Sequence, residues 1–170
     1  LNMPATIATV LKAGGHGFYG LTGGAGAGKS TLARKLAMSV PGIAIYSIDG
    51  AFIGESEFRR QLLKTKASRG FDSYYDAANQ MNWWDWNMVE KYMASATGTV
   101  LIEGAILGPC SIVERLQTIF DLDVNPRERL RRLLLRDTQR TAEEVAARFL
   151  ITERSEHCYR DVILGRYANK

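Results

Sequence analysis

The feature that most constrains this chain is a glycine-rich segment at residues 23–30, which fits the pattern G-x-x-x-x-G-K-[ST]. The apolar run at residues 17–22 predicts a short buried strand before it, and residues 30–40 predict a helix after it. A strand, a glycine turn and a helix in this order are what a phosphate-binding loop requires. The alternative is a glycine-rich turn with a chance lysine, and the flanking elements argue against it.

Each residue type in this segment, called the glycine loop below, suits a phosphate ligand. Glycines allow positive φ and let successive N–H groups converge on an anion, and the following helix adds the N–H groups of its first turn. Lys29 can bridge the outer phosphates, while the Ser30 hydroxyl can bind Mg²⁺. The predicted nucleotide contacts are Gly24, Ala25, Gly26, Ala27, Gly28, Lys29 and Ser30 of this segment and the adjacent Thr31.

Length and composition favour one globular domain over residues 1–170, since the chain is 46% hydrophobic. The net charge of +4 is mild and spread along the chain, which suits a small polyanionic ligand better than nucleic acid. Residues 3–13 are too short for a membrane span, and we expect no membrane partner. Cys110 and Cys158 are isolated and best interpreted as packing residues, which indicates a reducing cytoplasm. The sequence leaves the oligomeric state open.

Apolar β-rich runs alternate with helical patterns, which predicts parallel strands joined by crossover helices. We therefore expect an α/β fold, specifically a three-layer α/β/α P-loop NTPase fold with a mostly parallel sheet of four to five strands and a helical lid. The predicted strands are residues 17–22, 43–48, 99–103 and 118–124. The predicted helices are residues 3–13, 30–40, 55–66, 83–96, 111–116, 126–136 and 142–160.

Acidic residues follow two of the predicted strands: Asp49 ends the second, and Glu103 ends the third. Ligands of open parallel sheets bind beyond the carboxyl ends of the strands, so both carboxylates should face a bound phosphate. Phosphoryl transfer needs one group to orient or deprotonate the attacking hydroxyl and oxygens to hold a metal. We assign Asp49 to the first task and Ser30, Asp49 and Glu103 to the metal, although the two acids could exchange roles. The alternatives are a turn at Asp49-Gly50 and a cap at Glu103.

Four arginines recur at three- and four-residue spacing near the end of the chain: Arg129, Arg132, Arg136 and Arg140. This spacing places them on one face of a helix, and we expect a lid at about residues 129–141. Guanidinium groups there would neutralise a triphosphate, with Arg132 and Arg136 acting in catalysis and Arg136 and Arg140 on the nucleotide. The alternative is a solvated basic face with local pairs such as Glu128 to Arg132.

An aromatic and acidic insert at about residues 52–86 is the expected acceptor pocket, because planar groups stack on aromatic rings and sugar hydroxyls bind carboxylates. With Asp49, the candidate substrate residues are Phe52, Arg59, Tyr74, Tyr75, Trp83 and Asp85. The competing explanations are that Trp83 and Trp86 anchor a helix to the core and that Arg59 and Arg69 lie on the surface.

The order GLTGGAGAGKST, YSIDGAF, FDSYYDAANQMNWWDW, VLIEGAIL and DLDVNPRERLRRLLLRD resembles the uridine kinase and phosphoribulokinase branch of P-loop small-molecule kinases. The resemblance covers residues 17–159, and the glycine loop is its most specific part. It implies a catalytic base at Asp49, the acid of the E-G strand end at Glu103, and lid residues at Arg131, Arg132, Arg136 and Asp137.

Several departures from the family pattern bear on the substrate. The chain has one acid where the family usually has two before Phe52, and its lid is shorter and lacks a glycine. These departures argue against uridine as acceptor. The family also closes with a strand after its last helix, and this sequence stops where that strand would begin.

The sequence thus predicts a phosphotransferase that uses ATP and Mg²⁺ to phosphorylate a hydroxyl of a small nucleoside- or sugar-like molecule. Regulatory GTPases match poorly, because no internal N-K-x-D tetrapeptide is present. The alternative is a regulatory P-loop protein that binds nucleotide without catalysis. The acceptor and the choice between ATP and GTP stay open.

Overall fold

A computed structural model of the chain describes residues 2–52 and 84–162. The helices are α1 (Met3–Gly14), α2 (Lys29–Ser39), α3 (Trp86–Ser95), α4 (Cys110–Val113), α5 (Pro126–Arg136) and α6 (Ala142–Val162). The strands are β1 (Gly17–Gly23), β2 (Ala44–Ser47), β3 (Thr99–Glu103) and β4 (Leu116–Leu122), and a 3₁₀ turn, Ile48–Ala51, follows β2. Within these residues no helix is both long and apolar enough to cross a bilayer.

The four strands form one parallel sheet in the order β2-β3-β1-β4. β1, which leads into the glycine loop, is therefore flanked by strands from later in the chain. Parallel neighbours need crossover connections, as the alternating pattern of the sequence indicated. The predicted helix at residues 111–116 was too long, because α4 ends at Val113 and Leu116 already belongs to β4.

The described residues fall into two compact units. The first, called the sheet unit, consists of residues 2–23, Gly28–Ala51 and Asp85–Leu122. Its core is apolar: Leu21, Leu36 and Ile102 are fully buried. Leu32 and Leu36 are buried on α2, and the helix packs on α1 and on the sheet.

The second, called the helix unit, consists in its described part of Gly24–Ala27, Phe52, Trp84 and residues 123–162. The Asn125 side chain caps α5 by accepting from the Arg127 N–H at 2.9 Å, and Pro126 follows in the first turn. α5 and α6 pack through Leu133, Val145 and Phe149. The single-domain interpretation of the sequence stays a prediction.

Candidate functional site

The glycine loop has the backbone that its sequence requires. Gly26 and Gly28 have φ of +81° and +97°, which residues with a Cβ adopt only with strain. Gly28 caps α2 without a side chain, so the first-turn N–H groups of that helix follow the loop directly. The Lys29 ammonium donates to the Gly23 carbonyl at 2.7 Å. A helix that starts in this way is suited to an anion.

The Ser30 hydroxyl and the Glu103 carboxylate contact one another within the sheet unit. Ser30 Oγ lies 3.1 Å from Glu103 Oε1 and 3.3 Å from Oε2. Glu103 is only 5% exposed and ends β3, with its backbone in register with Leu21 of β1. No Lys or Arg of the described residues forms an ion pair with it. A buried carboxylate is stabilised by a nearby cation, so this site is suited to binding a cation.

Asp49 lies in the 3₁₀ turn directly after β2 and is exposed. Ser47, two residues earlier, is in register with Glu103, so Asp49 follows the same end of the sheet. Asp49 also precedes Gly50 in this turn, so the alternative that Asp49 only forms a turn stays open. Within residues 2–52 and 84–162 no three His, Cys, Asp or Glu side chains gather as a ready metal site would.

Two arginines of α5 share one acidic partner. Arg131 and Arg132 both bond to the Glu128 carboxylate, at 2.7 and 2.8 Å, so the local pair considered for Arg132 is present. Hydrogen bonds from Arg131 and then Arg132 lower the pKa of Glu128 from 4.5 to about 2. Arg132 Nη1 also lies 3.4 Å from the Gly26 carbonyl oxygen, so this side chain contacts the glycine loop within the helix unit.

The predicted single row of four arginines was wrong at both ends. Arg129 is buried, at 4% exposed, because its guanidinium pairs with two carboxylates of α6. Arg140 lies beyond the helix, because α5 ends at Arg136, and it pairs with Asp137. Arg132 and Arg136 therefore remain on α5 as its exposed members of the set.

Arg136 borders a small cleft of the helix unit. Its walls combine apolar and charged groups: Ala25, Leu133, Arg136, Asp137, Val145, Arg148, Phe149 and Thr152. Arg148 Nη1 lies 3.6 Å from the Asp137 carboxylate, which therefore binds both this arginine and Arg140. Asp137, which the family resemblance placed in the lid, thus connects Arg140, beyond the end of α5, to Arg148 of α6.

The candidate acceptor residues are described only in part. Arg59, Arg69, Tyr74, Tyr75 and Trp83, and the helix predicted at residues 55–66, lie outside the described residues. Phe52 pairs with Trp84 in an edge-on ring contact, with 5.6 Å between centroids. Asp85 caps α3 by accepting from the Met88 N–H at 3.2 Å, which gives it a structural role.

Two glutamates of α6, Glu153 and Glu156, were not predicted as site residues from the sequence. Glu156 accepts a hydrogen bond from the Ala25 N–H of the glycine loop at 3.0 Å, and both Glu153 and Glu156 pair with Arg129. The available signal was their i,i+3 spacing near the apolar residues Phe149 and Tyr159, since acids on an apolar helix face need buried partners.

Solved structures with this fold include a protein of Silicibacter sp. TM1040 described as a candidate fructose transport system kinase. It is 16% identical, with 94% of this chain and 95% of that chain covered, at a TM-score of 0.64. Shikimate kinase from Bacteroides thetaiotaomicron is 18% identical over 85% and 81%, at 0.52. TT1252 from Thermus thermophilus is 20% identical over 86% and 84%, at 0.50. The chain therefore has the expected α/β/α P-loop fold. No protein-family model matches the chain, and no curated protein matches it.

Proposed function

We propose that the protein is a kinase that transfers the γ-phosphoryl group of ATP, with Mg²⁺, to a hydroxyl of a small molecule. The observation that carries the proposal is the contact between the Ser30 hydroxyl and the buried Glu103 carboxylate, directly after a glycine loop. Such oxygens beside a helix N-terminus are suited to a metal-bound polyphosphate. The fold shared with proteins named as kinases supports the same conclusion.

The residues present fit Mg²⁺, because Ser30 and Glu103 supply the hard oxygen ligands that this ion prefers. Asp49 is the third proposed ligand or the base. When bound, the metal would neutralise charge on the β- and γ-phosphate oxygens. Lys29 would bind the same phosphates as a mobile cation, so its hydrogen bond to Gly23 would be exchanged for phosphate oxygens.

In the proposed reaction the oxygen of the acceptor hydroxyl forms a bond to the γ-phosphorus. The bond from that phosphorus to the bridging β,γ-oxygen breaks, and ADP leaves with the electron pair. Asp49, exposed after β2, accepts the hydroxyl proton. Arg132 and Arg136 would bind phosphate oxygens, and Arg132 already contacts the loop carbonyl of Gly26.

We propose a nucleoside- or sugar-like acceptor other than uridine, bound by residues of the aromatic insert. The motifs quoted above favour the uridine kinase and phosphoribulokinase branch within the shared fold. The two isolated cysteines favour a cytoplasmic location.

The test is ADP release from ATP and Mg²⁺ across a panel of nucleosides, sugars, sugar phosphates and hydroxylated carboxylic acids. A kinase shows turnover that depends on one acceptor class, whereas a regulatory nucleotide binder takes up ATP and no acceptor raises turnover. Lys29→Ala should weaken ATP binding itself. Lys35→Ala, an exposed lysine change on the same helix α2, serves as the matched control and should leave binding unchanged. Wild-type protein that binds no ATP would refute the proposal.

A further inference from the structure

Arg129 of α5 is the centre of a buried ionic network within the helix unit. Its Nη2 bonds to the Glu153 carboxylate, its Nη1 lies 3.5 Å from Glu156 Oε2, and its Nε donates to a backbone carbonyl at 3.0 Å. Its Cζ lies 5.2 Å from the centroid of the Phe149 ring. We call Arg129, Glu153 and Glu156 the helix network. One guanidinium faces two carboxylates, and we call the network compensated in the sense that each carboxylate has a partner of opposite charge inside the protein.

One side of this network reaches the glycine loop through Ala25. The Ala25 N–H donates to Glu156 Oε1 at 3.0 Å, and Arg129 Nη1 lies 3.5 Å from the Ala25 carbonyl oxygen. The ion pair therefore contacts both backbone polar groups of one loop residue. The N–H of Ala25 is directed at a carboxylate, so it is not directed at a phosphate.

The neighbouring Gly24 shows how closely the network approaches the loop. A Cβ at this position would lie 1.5 Å from Arg129 Nη1 and 2.7 Å from Glu156 Oε2. Both side chains are buried and held by partners, so they have little room to withdraw. A side chain at residue 24 would therefore displace the network, which gives Gly24 a packing role in addition to its place in the phosphate pattern.

Glycine-rich segments lose much conformational freedom when they are ordered. A loop that is already ordered before the ligand arrives binds more tightly, because that free energy is not taken from binding. We propose that Glu156 is a positioning residue, which holds the first half of the glycine loop through Ala25 in the conformation that binds nucleotide phosphates. Arg129 in turn holds Glu156. The inference rests on the proposed function.

Glu153 provides a matched control. Both glutamates lie on α6, three residues apart, and both pair with Arg129, but only Glu156 bonds to the loop. Glu153→Ala therefore weakens the ion pairing and leaves the Ala25 contact in place. A purely structural network predicts that the two alanine variants behave alike.

The experiment measures the Kd of ADP with Mg²⁺ by calorimetry, without any acceptor, and the Tm of each variant. Glu156→Ala should weaken ADP binding about tenfold, as expected for loss of one charge-assisted hydrogen bond. Glu153→Ala should change the Kd less than about twofold, although its Tm also falls. Glu156→Gln, whose amide oxygen can still accept from Ala25, should recover most of the affinity. If Glu156→Ala does not fold, Glu156→Met, which retains side-chain volume, takes its place.

Amide hydrogen exchange at Ala25 in the nucleotide-free protein provides a second readout. Exchange should be slow in the wild type and in Glu153→Ala, and at least tenfold faster in Glu156→Ala. An unchanged ADP Kd in Glu156→Ala, or equal losses in both alanine variants, would overturn the positioning role while the kinase proposal stands. If the wild type binds no ADP but its Ala25 amide exchanges slowly, the kinase proposal would be refuted, whereas the contact between Glu156 and Ala25 would be supported.

Discussion

Glu103 and Glu156 are both buried, at 5% and 4% exposed, and each binds a residue of the glycine loop. Their surroundings differ. Glu156 accepts from a backbone N–H and pairs with Arg129, so its charge is compensated within the protein. Glu103 contacts the Ser30 hydroxyl, and within the described residues no basic side chain pairs with it. We call Asp49 and Glu103 the sheet-end acids.

This difference suggests a structural role for Glu156 and its partners and a ligand-binding role for Glu103. A compensated network stabilises the fold and fixes geometry, whereas a buried carboxylate that lacks a cation is retained at the expense of stability when it serves a ligand. Changes in the sheet-end acids should therefore appear mainly in turnover and metal dependence. Changes in the helix network should appear in stability and, at Glu156, also in nucleotide affinity.

The largest effect is expected at Asp49. Asp49→Asn keeps the shape but cannot accept the acceptor's proton, so kcat should fall about 10²- to 10⁴-fold. The ADP Kd and the Tm should stay close to wild type, because Asp49 is exposed. Steady-state kinetics with the acceptor found in the panel measures this. Asp123→Asn, another exposed acid, is the control, and normal turnover in Asp49→Asn would remove Asp49 as the base.

The next largest effect is expected for Arg129→Ala, which leaves the buried Glu156 and the partly buried Glu153 without their cation. The free energy of unfolding should fall by about 3–5 kcal/mol. Urea unfolding measures it, and the exposed Arg127→Ala on the same helix should stay within about 0.5 kcal/mol of wild type. A loss below about 1 kcal/mol for Arg129→Ala would contradict a compensated network.

Smaller effects on the free energy of unfolding are expected when Glu103 and Glu156 are each changed to glutamine, and the two effects should differ in sign. In EDTA, Glu103→Gln should leave the free energy of unfolding unchanged or raise it by about 1 kcal/mol, because a buried charge is removed. Glu156→Gln should lower it by about 1 kcal/mol, because Arg129 loses an anionic partner. With Mg²⁺ present, only Glu103→Gln should lose the metal dependence of ADP binding. If both substitutions lowered the free energy of unfolding in EDTA, the proposed difference between the two glutamates would be wrong.

The smallest effect is expected at Glu128, which belongs neither to the sheet-end acids nor to the helix network and is only partly buried. The pKa of Glu128 is lowered from 4.5 to about 2 in the folded protein. The ionised side chain therefore stabilises the fold above pH 4.5, and this stabilisation is lost as the pH falls toward 2. Glu128→Gln should be slightly less stable than wild type at pH 6 and equal to it below pH 2. Urea midpoints at several pH values measure the difference, and a gap that persists at the lowest pH would assign it to another cause.

Much of this architecture could be predicted from local signals. Residues 17–22 and 99–103 are apolar runs bounded by glycine or acid, and both are strands. The bounds of α5, Pro126–Arg136, agree with the prediction because Asn125 and Pro126 form a strong start signal. The boundary between α4 and β4 was misplaced, because a short apolar run is compatible with either a helix or a strand.

The helix network could not be predicted in the same way, because its contacts join residues that are distant in sequence. Helical spacing placed Arg129 with Arg132, but its partners lie 24 and 27 residues later. Spacing reports which residues share a face and does not report what packs against that face. The Ser30 contact with Glu103 was closer to prediction, because strand ends in a parallel sheet share an edge.

The hydrogen bond between Ala25 and Glu156 spans 131 residues, which has a consequence for biosynthesis. A ribosome adds about 5–20 residues per second, so roughly ten seconds separate the appearance of the two partners. During that interval β1 and α2 have emerged, but the acceptor for the Ala25 amide does not yet exist. A nascent chain halted before α6 should therefore lack the hydrogen bond that positions the glycine loop, and tight nucleotide binding should arise only after α6 has been synthesised.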